Sequence, residues 1–186
     1  MSCERALLLP SLGKSQKRAV FRWKLGHQVF HLQLVAINSL LEESLQALKE
    51  GAYERFRRRI SELCRLYDAS TATMAYAACF EEEQYTSLIR PSMAPPYVSP
   101  GFSGLLNLDH ERMLKRIKKL RRSLPARLGP ARSSWPAPVL EALSDLTGAV
   151  QRNRENHGLI CKQFVADGVS LLAEFYQERR SEHEVH

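Results

Sequence analysis

The chain has 186 residues, 44% hydrophobic, 25% charged and 8% aromatic, the balance of a globular chain rather than a disordered or fibrous one. A core can form at this length without disulfides or a structural metal. The formal charge of +7, from 27 Lys and Arg against 20 Asp and Glu, favours solubility and weak attraction to polyanions without establishing nucleic-acid binding.

No apolar run reaches the roughly 18 residues of a membrane helix, and Ala6 to Leu9 is too short for a signal-peptide core. The four cysteines, Cys3, Cys64, Cys79 and Cys161, form no CxxC pair, which argues against a zinc ribbon or a disulfide scaffold. The chain reads as one cytoplasmic domain, with flexible tails expected at 1–14 and 180–186.

Of nine prolines, all but Pro10 fall in two clusters, Pro91 to Pro100 and Pro125 to Pro138, which mark two loops. The intervening stretches have helical periodicity and no competing strand signal. The expected fold is all-α, a four-helix bundle-like core with Pro-rich connecting loops.

The first helix, about Ser15 to Glu50, carries an apolar stripe at Val20, Trp23, His27, Phe30, Leu34, Ile37, Leu41, Leu45 and Leu48, and Gly51 stops it. The second, from Tyr53, repeats the rule at Phe56, Ile60, Leu63, Tyr67, Ser70 and Met74. It is expected to end near Leu88, because the residue before Pro91 is disfavoured in the helical region. A third starts at Asn107 or Asp109, both good N-caps, and buries Met113, Ile117, Leu120 and Leu124 before Pro125 ends it. The fourth runs from about Pro138 to Arg179, with Val139, Leu143, Leu146, Val150, His157, Cys161, Phe164, Gly168, Leu171 and Phe175 on or near one face. Four such helices make a bundle.

His27 and His157 occupy stripe positions where the periodicity calls for a large hydrophobe, so both are expected to face the interior. One such histidine is ordinarily a neutral core residue with a carbonyl partner. Two on facing helices are a usual means of holding a metal or a haem. A di-iron centre is disfavoured because no Glu precedes any of these histidines by three residues. His27 and His31, spaced i, i+4, could share a zinc, although Gln28 breaks the HExxH pattern. His157 and Cys161, in HGLIC, place an imidazole and a thiol one turn apart, the arrangement of an axial haem ligand beside a thiol near the haem edge.

Three segments then resemble the haem-dependent tryptophan 2,3-dioxygenase superfamily, including its aromatic (tyrosine) oxygenase branch. His27-Gln28-Val29-Phe30-His31-Leu32 is similar to the HQxxE(L) helix segment that carries the distal histidine. Tyr85-Thr86-Ser87-Leu88-Ile89-Arg90, with Ser99-Pro100-Gly101-Phe102-Ser103-Gly104 after it, is similar to the FxxFR…SGFQS stretch. Arg152-Asn153-Arg154-Glu155-Asn156-His157 is similar to the RxRxxH approach to the proximal ligand. The segments follow the family's order from about Trp23 to Ser170.

The resemblance implies a haem held by His157, with Cys161 linked to it covalently in the manner of the tyrosine branch and Phe102 forming a wall. It implies His27 as the distal base with His31 behind it. Arg90 would capture a substrate carboxylate, with Tyr85 and Ser103 beside it. An acceptor for the other ring nitrogen of His157 would come from Asp145, Glu155 or a backbone carbonyl. The implied activity is an oxygenase using O2 or H2O2 on a small aromatic amino acid or an indole-like derivative. No membrane partner is expected, nucleic acid is not an expected partner, and the oligomeric state is left open, a homodimer included.

The competing reading is a non-enzymatic adaptor or regulator. The segment Arg112 to Arg122 holds seven Lys or Arg in eleven residues and could meet an anionic partner through Lys118 and Lys119. No aromatic residue interleaves these charges as single-strand binding would require.

Overall fold

A computed structural model describes residues 12–103 and 106–164, without the side chain of Cys161. Among these residues there is no strand. Four long helices, α1 (Lys14–Lys49), α2 (Tyr53–Ala77), α5 (Leu108–Leu128) and α6 (Ala137–Phe164), carry the fold, with short helices α3 (Glu82–Gln84) and α4 (Arg90–Ser92) flanking a π-helical turn at Tyr85–Ile89. No described helix is long and apolar enough to cross a membrane. The expected all-α class is the one observed.

Local chemistry sets several ends. Gly51 takes φ 70° after α1, and the Ala52 N–H bonds to the Ala47 carbonyl at 3.0 Å, a Schellman stop that a left-handed glycine permits. Asn107 is the N-cap of α5. Its side chain accepts from the Asp109 and His110 N–H groups at 2.9 and 3.0 Å, satisfying two otherwise orphaned donors.

α1 packs on α2 and on α5, and α2 packs on α6. Arg116 reaches Glu42 at 3.0 Å and Arg127 reaches the Lys49 carbonyl at 3.3 Å, so α5 runs parallel to α1. The long connection after α2 therefore carries the chain to the far flank of α1. The core is a continuous cluster of Leu34, Ile37, Leu41, Leu45 and Leu48 with Phe56, Ile60, Leu63, Tyr67, Met113, Leu120, Leu124, Val139, Ala142 and Leu146. The basic side of α5 faces outward, and Lys118 and Lys119 are exposed.

Three expectations are corrected. α2 stops at Ala77 rather than near Leu88, because Arg22 of α1 donates to the Cys79 carbonyl at 2.8 Å and to its Sγ at 3.0 Å. The chain turns there and restarts at Glu82, and this restarted helical run passes through Arg90 and Pro91, with Pro91 in the first turn of α4, where a missing N–H is tolerated. Pro125 does not end α5. It lies inside the helix, which continues to Leu128 and stops at Gly129, φ 88°; buried Leu124 and the Arg127 bond to Lys49 hold the last turn in place of the bond proline removes.

The third correction is His157, which is exposed rather than interior. It keeps the face of α6 that buries Val139 and Leu146, but lies about two turns beyond Ala149, the last buried residue of α6 among the described residues. The expected continuation of the fourth helix to Arg179, with Gly168, Leu171 and Phe175, the tail at 180–186 and residues 1–11 of the tail expected at 1–14 lie outside the described residues, while Lys14 already begins α1.

Candidate functional site

His27 is half-buried between two aromatic rings. Its Nδ1 lies 2.7 Å from the Trp23 carbonyl, one turn back on α1. The Trp23 ring sits 4.7 Å away centroid to centroid and the Phe102 ring meets it edge-on at 5.1 Å. Burial lowers the His27 pKa below the ordinary value near 6.5, and the hydrogen bond to Trp23 only partly opposes this. The ring is therefore neutral near pH 7.

One turn further along α1, His31 is exposed and pairs with Asp109, Nε2 to Oδ2, at 3.8 Å. Asp109 also accepts from Arg112 at 3.0 Å. Next to it on α5, His110 is half-buried, and its pKa is lowered by burial and then by the charge of His157. Charge on α6 thus acts on an imidazole of α5 that lies 47 positions earlier in the chain. His110 is absent from the set of residues read from the sequence, although a signal was there: it extends the stripe Met113, Ile117, Leu120, Leu124 backward by one step of three.

Tyr85 stacks on Phe80 at 6.5 Å and on Phe164 of α6 at 5.0 Å, so its ring is first a packing element. Its hydroxyl accepts from the Arg90 guanidinium at 3.4 Å. The π-helical turn explains the pairing: the Arg90 N–H bonds to the Tyr85 carbonyl, i to i+5, which brings side chains five apart to one face, whereas α-helical spacing would splay them. Ser103 is half-buried beside Phe102. Arg90, Ser103 and His157 all make further interactions.

Two of the acceptors expected for His157 have partners of their own. Asp145 acts on Cys64, whose thiol is pushed up to about 11 by burial and then by Asp145 and Asp68, and it is about three turns of α6 from His157. Glu155 accepts from Gln151 at 2.9 Å. The side chain of Cys161 and residues 104–105 lie outside the described residues. Among the described residues no three His, Cys, Asp or Glu side chains are grouped to hold a metal ion by themselves.

The chemistry of the donors nonetheless fits a haem, a group that brings four of its own nitrogens and takes imidazoles from the protein. His110 and His157 would be the residues to hold it, and burial favours the neutral, lone-pair-bearing form of His110. Phe102 and Leu106, 42% and 50% exposed, lie on the chain leading into α5 and offer apolar surface for a macrocycle to cover.

Comparison with known proteins gives a consistent answer. The sequence model of the family described as SfmD 3-methyl-L-tyrosine peroxygenase matches residues 6–141, which include His27, Tyr85, Arg90, Phe102 and His110 and end before His157. The 3-methyl-L-tyrosine peroxygenase of Streptomyces lavendulae is 28% identical over 184 residues, covering 92% of this chain and 46% of that protein. The chain therefore spans about half the length of this curated relative. No solved structure matches. Because the family match takes in α1, α2 and α5 with the residues they position, the chain belongs to the SfmD 3-methyl-L-tyrosine peroxygenase family.

Proposed function

We propose that this chain carries a haem-dependent oxygenase site that uses hydrogen peroxide or dioxygen to oxidise an aromatic amino acid, or an indole-like derivative, in secondary metabolism. The observation that carries the reading is the half-buried His27 caged by the Trp23 and Phe102 rings, in a chain of a peroxygenase family. Support for the finer placement in the tryptophan 2,3-dioxygenase superfamily comes from the HQxxH segment at His27 and the HxxxC segment at His157.

In this reading His157 and His110 would hold the iron through ring nitrogens, and Cys161 would anchor the porphyrin covalently. When bound, the haem supplies the redox chemistry that activates the oxidant. The protein does the rest. His27 offers its Nε2 lone pair as the base that takes a proton from the oxidant or from the substrate, a role suited to an imidazole that is neutral at working pH. His31, paired with Asp109, backs it up. Arg90 captures the amino-acid carboxylate with its planar fork. Tyr85 orients that fork, Ser103 hydrogen-bonds the substrate, and Phe102 walls the ring in.

The test is an absorption spectrum of protein expressed with a haem precursor. A Soret band is expected. His157→Ala removes it, His110→Ala shifts or weakens it, and haem that survives acid–organic extraction is released by Cys161→Ser. No Soret band in the wild-type protein would sink the proposal.

A further inference from the structure

The geometry around His27 specifies more than its neutrality. A carbonyl oxygen can only accept, so the 2.7 Å contact between His27 Nδ1 and the Trp23 carbonyl requires the proton of the neutral ring to sit on Nδ1. The lone pair is then on Nε2. Free neutral imidazole side chains favour the opposite tautomer in water, so the protein must hold this one.

Three rings lock together to do so. Trp23 lies 4.7 Å from His27, Phe102 lies 5.1 Å from it at 83°, and Trp23 and Phe102 meet at 5.5 Å and 66°. Edge-to-face contacts of this kind fix ring orientation as well as burying area. The Phe102 N–H in turn donates to the carbonyl of buried Met93 at 2.8 Å, so the far end of the Pro-rich loop is tied down and the Phe102 ring is delivered against α1.

We infer that Trp23 and Phe102 are positioning residues that hold His27 in the Nδ1–H tautomer and keep its Nε2 lone pair available for the reaction. The inference rests on His27 as the base of the proposed oxygenase, but the tautomer itself can be read without turnover. A Phe102 ring removed would let the imidazole rotate away from the Trp23 carbonyl and sample both tautomers. The loop after Pro91 thus supplies the second wall of the base.

The experiment is 15N NMR of the histidine-labelled full chain, which holds six histidines, with His27 assigned by its absence in His27→Gln. In the wild-type protein the His27 Nε2 is expected at the chemical shift of an unprotonated ring nitrogen and Nδ1 at that of a protonated one. Phe102→Ala is expected to move both toward averaged values and to lower kcat about tenfold, and Phe102→Tyr to restore them. Phe102→Leu, which keeps apolar bulk without the ring, covers the case in which the alanine variant fails to fold and is expected to mix the tautomers as well. A wild-type Nε2–H tautomer, or ring-removing variants whose tautomer is unchanged, would overturn the inference. Unchanged turnover in His27→Gln would instead count against His27 as the base.

Discussion

Gly26 and Ala77 hold α1 and α2 at a distance only glycine permits: a Cβ on Gly26 would stand 2.4 Å from the Ala77 Cβ and 2.9 Å from its Cα. The contact is one residue before His27 and at the last turn of α2. Gly26→Ala is therefore expected to cost ~1–3 kcal/mol through overpacking and to lower Tm by several degrees. Gly158→Ala, where nothing among the described residues lies within 4 Å, is expected to raise stability by ~0.5–1 kcal/mol through helix propensity. Thermal melts of the two variants should move in opposite directions; a destabilised Gly158→Ala beside a neutral Gly26→Ala would contradict this packing.

Asn38 moors the start of α5 to α1. Its amide donates to the Leu34 carbonyl at 3.0 Å and the Asp109 carbonyl at 2.8 Å, and its oxygen accepts from Arg116 at 2.9 Å, all at a buried site. Asn38→Ala leaves these groups without that partner and is expected to cost ~1–3 kcal/mol. Because Asp109 adjoins His110, haem affinity is expected to fall as well. Urea melts and haem titration measure the two effects separately.

The pH dependence of stability follows from His27 and His110, both lowered by burial from the ordinary value near 6.5, with the charge of His157 adding to the shift of His110. Below about 6.5 the unfolded chain binds protons that the folded chain resists. Stability from these groups is thus present above that pH and is lost as pH falls through their folded values. The urea midpoint is expected to drop between neutral and mildly acidic pH, and the double variant His27→Gln, His110→Gln to show a flatter profile. An unchanged slope would mean that neither imidazole is buried in solution.

Arg90 and Tyr85 predict a split in kinetics once an oxidisable substrate is in hand. Tyr85→Phe keeps the stack on Phe80 and Phe164 and removes only the bond to Arg90, so KM is expected to rise a few-fold with Tm nearly unchanged. Arg90→Lys loses the planar fork, and kcat/KM is expected to fall ~10- to 100-fold, the size of a charged hydrogen bond lost to substrate. Equal effects of the two substitutions would remove the carboxylate-capture role.

Thiol labelling tests the two described cysteines. Cys64 is half-buried with its thiol pushed up to about 11, whereas Cys79 is exposed. With iodoacetamide at mildly alkaline pH, Cys79 is expected to alkylate in the native protein and Cys64 only on unfolding, since the thiolate is the reactive form. Peptide mass mapping reads both at once.

The sequence by itself determined the helices and most of their inward faces. Periodicities of three and four residues, the glycine stop at Gly51 and the Asn107 cap are local, and a side chain's position on its own helix follows from spacing alone. Tertiary structure decided what spacing cannot carry. The end of α2 is set by Arg22, 57 positions before Cys79. The last turn of α5 survives Pro125 because Arg127 reaches Lys49, 78 positions away. His157 sits on the apolar stripe of α6 as its spacing requires and is exposed all the same, because burial depends on what another helix places in front of it. His110 joins the site for the same reason: only the tertiary placement of α5 exposes its imidazole to the charge of a residue 47 positions later.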